Sequence, residues 1–306
     1  MAKISIVLPT YNGSKWVANA IQSILNQEEK DWELIVVNDA STDDTLSIVE
    51  GFANQDPRII VVTNQTNKKL PASLNIGFNL ARGKYLTWTS DDNVFKPNAI
   101  GLMSSYLDDN PNLDLVSLKY DLINSDGEIL PVPYKVPHFQ PESLLLYDNV
   151  GAAFMYTRSI QDRIGGYNEE LFCVEDYEYW LRIALVGNIG FFDDNVYQYR
   201  VHSASLTATK KERVRLLTMK VKKRFASQFF ERYAYSFLDR SRFWATFPIR
   251  EIPGFYVLPS SFFKVYSSLL RMAVGILFAF SGSQKRKEIR RRFSFLNGFS
   301  FFNKHC

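Results

Sequence analysis

Cysteine is nearly absent: Cys173 and Cys306 are the only two in 306 residues. Two thiols cannot build a disulfide framework, so the fold rests on a hydrophobic core and a reducing compartment is expected. Histidine is almost as scarce. His138, His202 and His305 are scattered and offer no zinc-ligand spacing. Long apolar runs are missing too. Val265–Phe280 is broken by Arg271, and at ~1.5 Å per residue it falls short of a ~30 Å hydrocarbon core. That run is expected to lie in an interface or to pack on the body. The N-terminus passes from Met1-Ala2-Lys3 into the strand-like Ile4–Leu8 without a signal-peptide pattern. No Gly-rich, Lys/Arg-containing loop follows that strand, which argues against the rival reading of a nucleotidyltransferase. There is no internal repeat and no low-complexity segment.

What is present is a 46% hydrophobic chain, enough for one large core plus an appendage. Charge is unevenly spread. Residues 211–306 hold 20 Lys and Arg against 5 Asp and Glu, whereas residues 1–210 hold 16 against 27. The same tail carries 21 of the 45 aromatics. An acidic body (1–210) with a basic, aromatic, helical extension (211–306) points to an anionic membrane surface rather than to nucleic acid. Residues 211–240 look amphipathic, with Leu217, Val221, Phe225 and Phe229 among basic residues. The clusters Lys285-Arg286-Lys287 and Arg290-Arg291-Arg292 suit lipid headgroups.

The body alternates strands and helices. Ile4–Leu8, Trp32–Val37, Ile59–Thr63 and Tyr85–Trp88 read as strands covered on both faces, as in a parallel sheet. Helical spacing joins them: Val17, Ala20, Ile21 and Ile24; Leu46, Val49 and Ala53; Leu74, Phe78 and Ala81. Ser41 and Asp44 have capping-box spacing at the second helix. Further on, the pattern predicts a helix near 98–108, a strand over Leu113–Lys119, a turn at Ser125-Asp126-Gly127 and a loop over 131–141. A helix from Asp176 to Gly187 and a strand over Val196–Tyr199 complete it. The fold class is α/β, a mostly parallel, doubly wound sheet flanked by helices.

Such sheets bind ligands beyond the carboxyl ends of their strands. There the chain places Asp91-Asp92, a carboxylate pair suited to a hard divalent cation and its phosphates. The bland alternative is a turn that caps the next helix.

Several blocks, taken in order, resemble family 2 glycosyltransferases. They are Ile6-Val7-Leu8-Pro9-Thr10-Tyr11-Asn12, Val37–Thr45, Leu70–Gly77, Trp88–Asn93, Gly165–Glu169 and Glu175-Asp176-Tyr177. The resemblance covers roughly residues 3–205. It implies a GT-A (Rossmann-like) fold, a nucleotide-sugar donor, Mn²⁺ or Mg²⁺, and inversion at the anomeric carbon. It also implies roles for residues. Pro9, Thr10, Tyr11, Asn12, Asp39, Asn75 and Asp91 would hold the donor, with Lys68 or Lys69 reaching the diphosphate in place of the family's Arg, Tyr11 stacking on a pyrimidine and Asp39 accepting from its ring N–H. Asp92, with Asp91 and His202, would face the metal. Asp176 would be the general base, with Glu175 beside it. Two positions depart from the family pattern: Thr89 replaces the first acid of the usual Asp-x-Asp-Asp, and Leu74 replaces an Arg. A UDP-sugar donor, a glycan or lipid-linked glycan acceptor, and a place on the inner face of the cell membrane are the expectations. The rival from another class is a nucleotide- or polysaccharide-binding module without turnover.

Overall fold

The computed structural model describes residues 2–131, 141–236, 240 and 243. The Val265–Phe280 run, both basic clusters of residues 285–292 and most of the 131–141 stretch lie outside the described residues.

Eight strands form one sheet: β1 (Ile4–Thr10), β2 (Trp32–Asn38), β3 (Ile59–Thr63), β4 (Tyr85–Trp88), β5 (Val94–Phe95), β6 (Leu115–Ile123), β7 (Ala153–Thr157) and β8 (Ile189–Arg200). Their order is β3-β2-β1-β4-β7-β6-β8-β5. The β3-β2-β1-β4 half is wholly parallel, whereas β7 runs antiparallel between β4 and β6. The helices are α1 (Val17–Leu25), α2 (Thr45–Ala53), α3 (Leu70–Leu80), α4 (Ala99–Asp109), α5 (Arg158–Ile164), α6 (Glu175–Val186), α7 (Leu206–Thr209) and α8 (Lys211–Arg232). Both β1 and β2 are buried along their whole length, which is why they read as unbroken apolar runs.

Strand order reverses at β1. From β1 the chain moves outward to β2 and β3, then returns through α3 to lay β4 on the other side of β1. The crevice between the carboxyl ends of β1 and β4 is therefore the switch point of the sheet. Pro9 fits there. The β1–β4 register stops at Val7↔Trp88, so the N–H that Pro9 lacks would face an open gap rather than a ladder.

Several elements differ from the reading of the sequence. β7 and α5 fall where no pattern is visible. β8 is twelve residues long, not four, with register shifts in its pairing to β6. The capping box at α2 is absent: Asp43 takes the Thr45 N–H and hydroxyl, while Ser41 Oγ accepts from the Asn12 N–H.

The compact unit ends at Ser236, not at residue 210 where the charge changes sign. The reason is α8. Its apolar side, Val221, Phe225, Ala226, Phe229 and Phe230, is buried, and its far end is tied down by Arg232 and Tyr233 donating to Ala184 O. This amphipathic stretch thus spends its apolar face on the protein's own body. Phe229 is wholly buried. Phe229→Ala should therefore lower unfolding free energy by ~3–5 kcal/mol, the range for losing a core aromatic. Urea denaturation of the full chain checks this; a loss under ~1 kcal/mol, as at surface sites, would mean that α8 is not part of the core.

Candidate active site

Thr10 ends β1 and donates its hydroxyl to Asp91 Oδ2 across the switch point. Gly13 backs this contact. A Cβ there would sit 2.0 Å from the same Asp91 oxygen, so only glycine leaves room for the carboxylate. Burial pushes the Asp91 carboxyl up to about 7; the Thr10 hydroxyl lowers it and the neighbouring Asp92 charge raises it. A hydroxyl-donating or cationic ligand would return it to carboxylate.

Asp92 lies one residue on, and His202 Nε2 is 2.9 Å from its Oδ2. These two residues are 110 apart in sequence. The His202 ring leans on Trp16, with centroids 4.6 Å apart. Arg200 explains how the loop is held. Its backbone N–H donates to Asn93 Oδ1, its Nε to Asp92 O, and its Nη1 to Asn124 O and Ser125 O. A buried guanidinium needs acceptors in every direction, and loop carbonyls supply them. Thr89, at the departure from the family pattern, is buried and shares a 2.6 Å hydrogen bond with Tyr197 OH. It braces the loop from inside.

The remaining loops lock to one another. Asp39, buried after β2, accepts from Asn64 Nδ2, Lys68 N and Lys69 N, each at 2.8 Å. Asn12 Oδ1 accepts from Thr42 N. Both residues are thus heavily used in joining loops, while Tyr11 is half exposed at the mouth and the Lys68 side chain is open. Pro9 is buried within β1. Asn75 is a clamp: Oδ1 accepts from Tyr167 N, and Nδ2 donates to Tyr167 O and Glu169 Oε1. That explains Gly166, whose Cβ would meet Asn75 Oδ1 at 2.6 Å. Four of the five non-glycine residues with positive φ among the described residues, Asn12, Ala40, Lys69 and Cys173, flank these loops. Such backbone strain clusters where the surrounding structure fixes a geometry for use.

The opposite wall is the first turn of α6. Asp176 sits there with Glu175, near the Tyr167 phenol that Trp88 Nε1 contacts at 3.0 Å. Tyr199, bonded to Thr207, lies within electrostatic range of both Asp92 and Asp176, so it spans the two walls. Asp148, an exposed residue with no motif around it, belongs to the same group: partial desolvation of its carboxyl, and then the Asp176 charge, raise it. Lys222 of α8 closes the group from the far side. Its Nζ donates to Leu146 O at 2.6 Å and lies 5.9 Å from the Tyr177 ring. Tyr177 in turn donates to Leu144 O. Burial raises Asp176 above the usual carboxylate range, and burial with the Asp176 charge raises Glu175 to about 8. Asp91, Asp92 and His202 are thus brought together, and Asp176 and Glu175 form the facing wall. Sequence reading did not pick out Gly13, Asp148 and Lys222.

A raised carboxyl is a stability cost with a definite sign. The folded state binds the Asp176 proton more tightly than the unfolded state does. The cost is therefore absent below the unfolded pKa of ~4 and grows as pH rises through the raised value. Asp176→Asn should melt higher than wild type near pH 8. The difference should vanish near ~pH 4. Thermal scans at both pH values check it; an Asn variant that melts lower near pH 8 would refute the burial cost.

Comparison with known proteins agrees with this geometry. The model of Glycosyl transferase family 2 matches residues 5–165. An uncharacterized glycosyltransferase of Rickettsia prowazekii is 30% identical over 214 residues, 67% of this chain and 66% of that one. The chain thus spans just under two thirds of that relative. The chondroitin synthase of Escherichia coli is 27% identical over 68% of this chain and 30% of its own. Among solved structures, S. aureus TarS 1-349 in complex with UDP-GlcNAc superposes with a TM-score of 0.62 at 20% identity, covering 81% of this chain and 72% of that one. A mannosyltransferase of Pyrobaculum calidifontis in complex with GDP-Man and Mn²⁺ gives 0.57 at 16% identity, over 94% and 83%. The fold is that of these GT-A glycosyltransferases, and the chain belongs to glycosyl transferase family 2.

Proposed function

We propose that the protein transfers a sugar from a nucleoside-diphosphate sugar, in our reading a UDP-sugar, to a hydroxyl of a glycan acceptor with inversion. The observation that carries this reading is the facing pair of walls: Asp91, Asp92 and His202 on one, Asp176 on the other, joined by Tyr199. The nucleotide-sugars in the two solved relatives support the donor class.

Tyr11 offers an exposed ring to the base, and the ends of β1 and β2 receive the nucleoside. Asp91 accepts from the ribose hydroxyls. The donor set beside the diphosphate suits Mn²⁺ or Mg²⁺: among the described residues no three protein ligands gather, but one carboxylate and one imidazole meet at 2.9 Å. Ions of this kind take few protein ligands and complete their shell with phosphate and water. When bound, the ion would offset the charge that develops on the departing diphosphate. Arg200 keeps Asp92 on station by holding its carbonyl. Asp176 then accepts the proton of the acceptor hydroxyl as its oxygen bonds to the anomeric carbon. The bond from that carbon to the phosphate oxygen breaks on the opposite face, and its electron pair leaves with the nucleoside diphosphate. The Glu175 carboxyl group is held in place by accepting the Cys173 N–H.

The acceptor we favour is a lipid-linked glycan in cell-surface polysaccharide synthesis, met at the inner face of the membrane. The charge asymmetry of the chain supports this. No helix among the described residues is long and apolar enough to cross a membrane.

Asp176 works as a base only when ionised, and burial raises its pKa. The transfer rate should therefore fall as pH drops, with an acid limb above the ordinary carboxylate value of ~4. Asp176→Asn should lower turnover by ~10²–10⁴-fold and abolish that limb while leaving UDP affinity unchanged. UDP release from a panel of UDP-sugars, with Mn²⁺ and extracted lipid-linked glycans as acceptors, measures both. A variant with wild-type turnover would remove Asp176 from this role. A wild type that binds UDP yet never releases it from any donor would favour a binding module.

A further inference from the structure

The outer face of α8 is chemically unlike the rest of the body. Residues 206–232 hold nine Lys and Arg against two Glu. Arg213, Leu216, Lys220, Lys223 and Arg224 are all exposed, and their spacing of three and four residues puts them in one stripe of the helix. Between Lys210 and Arg224 the single acid, Glu212, is paired with Arg215 at 2.8 Å. The opposite face is buried, so this stripe cannot be turned inward without unpacking the core.

Position matters as much as charge. Arg213 donates to Phe172 O at 3.2 Å, in the strand of chain that leads into Glu175 and Asp176. Leu206 and Val201, at 41% and 45% exposure, and Leu216 at 48%, add apolar side chains to the basic segment that follows β8. Tyr199 connects α7 to both walls of the cleft through Thr207. A surface docked on this stripe would therefore lie beside the acceptor side of the site.

We propose that the α7–α8 edge is a docking surface for an anionic lipid membrane, lying flat on it beside the acceptor entrance. Leucine and valine among lysines and arginines match a headgroup layer, where each basic residue near the surface adds to the attraction. Single-stranded nucleic acid is the poorer fit. It needs stacking platforms, and all three phenylalanines of α8 point into the core. The lipid-linked acceptor of the proposed function gives this docking its use, but the test does not depend on it.

The test is co-sedimentation of the full chain with vesicles of phosphatidylcholine alone or of equal parts phosphatidylcholine and phosphatidylglycerol. The wild type should pellet only with the anionic vesicles. Lys220→Glu/Lys223→Glu/Arg224→Glu should bind them at least ~100-fold more weakly. Lys285→Glu/Arg286→Glu/Lys287→Glu should lose less than the α8 variant. Unchanged UDP binding and melting temperature show that the variants fold, and the corresponding triple Gln variant serves if the Glu one does not. The proposal is overturned if the α8 variant binds like wild type, or if the 285–287 variant loses more. It is overturned too if the wild type ignores anionic vesicles or prefers a single-stranded oligonucleotide to them. A failure here leaves UDP release untouched, so it is separable from failure of the transferase reading.

Discussion

The site depends on one contact, the hydrogen bond from Thr10 to Asp91 across the gap between β1 and β4. Parallel strands joined by crossovers leave such a gap only where strand order reverses. Here the reversal is at β1, and the loop after β4 drops into the opening. A carboxylate half out of water needs donors, and Thr10 supplies one. Gly13 supplies room, and Asn93 and Arg200 hold the loop from behind. With Asp91 placed, Asp92 turns toward His202. The acid pair is therefore more than a helix cap, since its two carboxylates are committed to partners 81 and 110 residues away.

The second wall is held by a separate device. Tyr167 stacks on Tyr179 at 4.1 Å and on Phe78 at 5.9 Å, while Asn75 grips its backbone. Arg182 pins the preceding turn through Ile164 O and Gly166 O. Gly166, just before Tyr167, is thus a packing requirement. It lets α3, β4 and α6 converge on one phenol, and so sets where Asp176 begins its helix. Lys222 extends this wall to α8, so the helix that carries the basic stripe also borders the Asp176 wall.

The parallel half of the sheet was readable because each strand is buried on both faces and each helix has one apolar stripe. The site blocks were readable for the same reason: loops at strand ends sit at fixed places in such a sheet. What escaped has a physical cause in each case. β7, Ala153-Phe-Met-Tyr-Thr157, lacks both alternation and β-branched runs, and is a strand only because β4 and β6 flank it. β8 contains Asp193-Asp194-Asn195, which reads as a turn but is carried through as an irregular pairing with β6. Asp148 and Lys222 sit in no motif, and only the fold brings them to Asp176. The amphipathic pattern of 211–240 suits a membrane as well as a core, and pattern alone does not choose between them. In α8 the core claims the apolar face, and only the basic face remains for a surface.

The most direct measurement is calorimetric titration of UDP, with Mn²⁺ or with chelator, into wild type and Asp92→Ala. The account predicts binding to wild type in Mn²⁺, at least ~10-fold weaker binding in chelator, and the same loss in Asp92→Ala whether or not Mn²⁺ is present. Equal affinity in all four conditions would contradict it, because the Asp92–His202 pair would then have no part in holding the diphosphate.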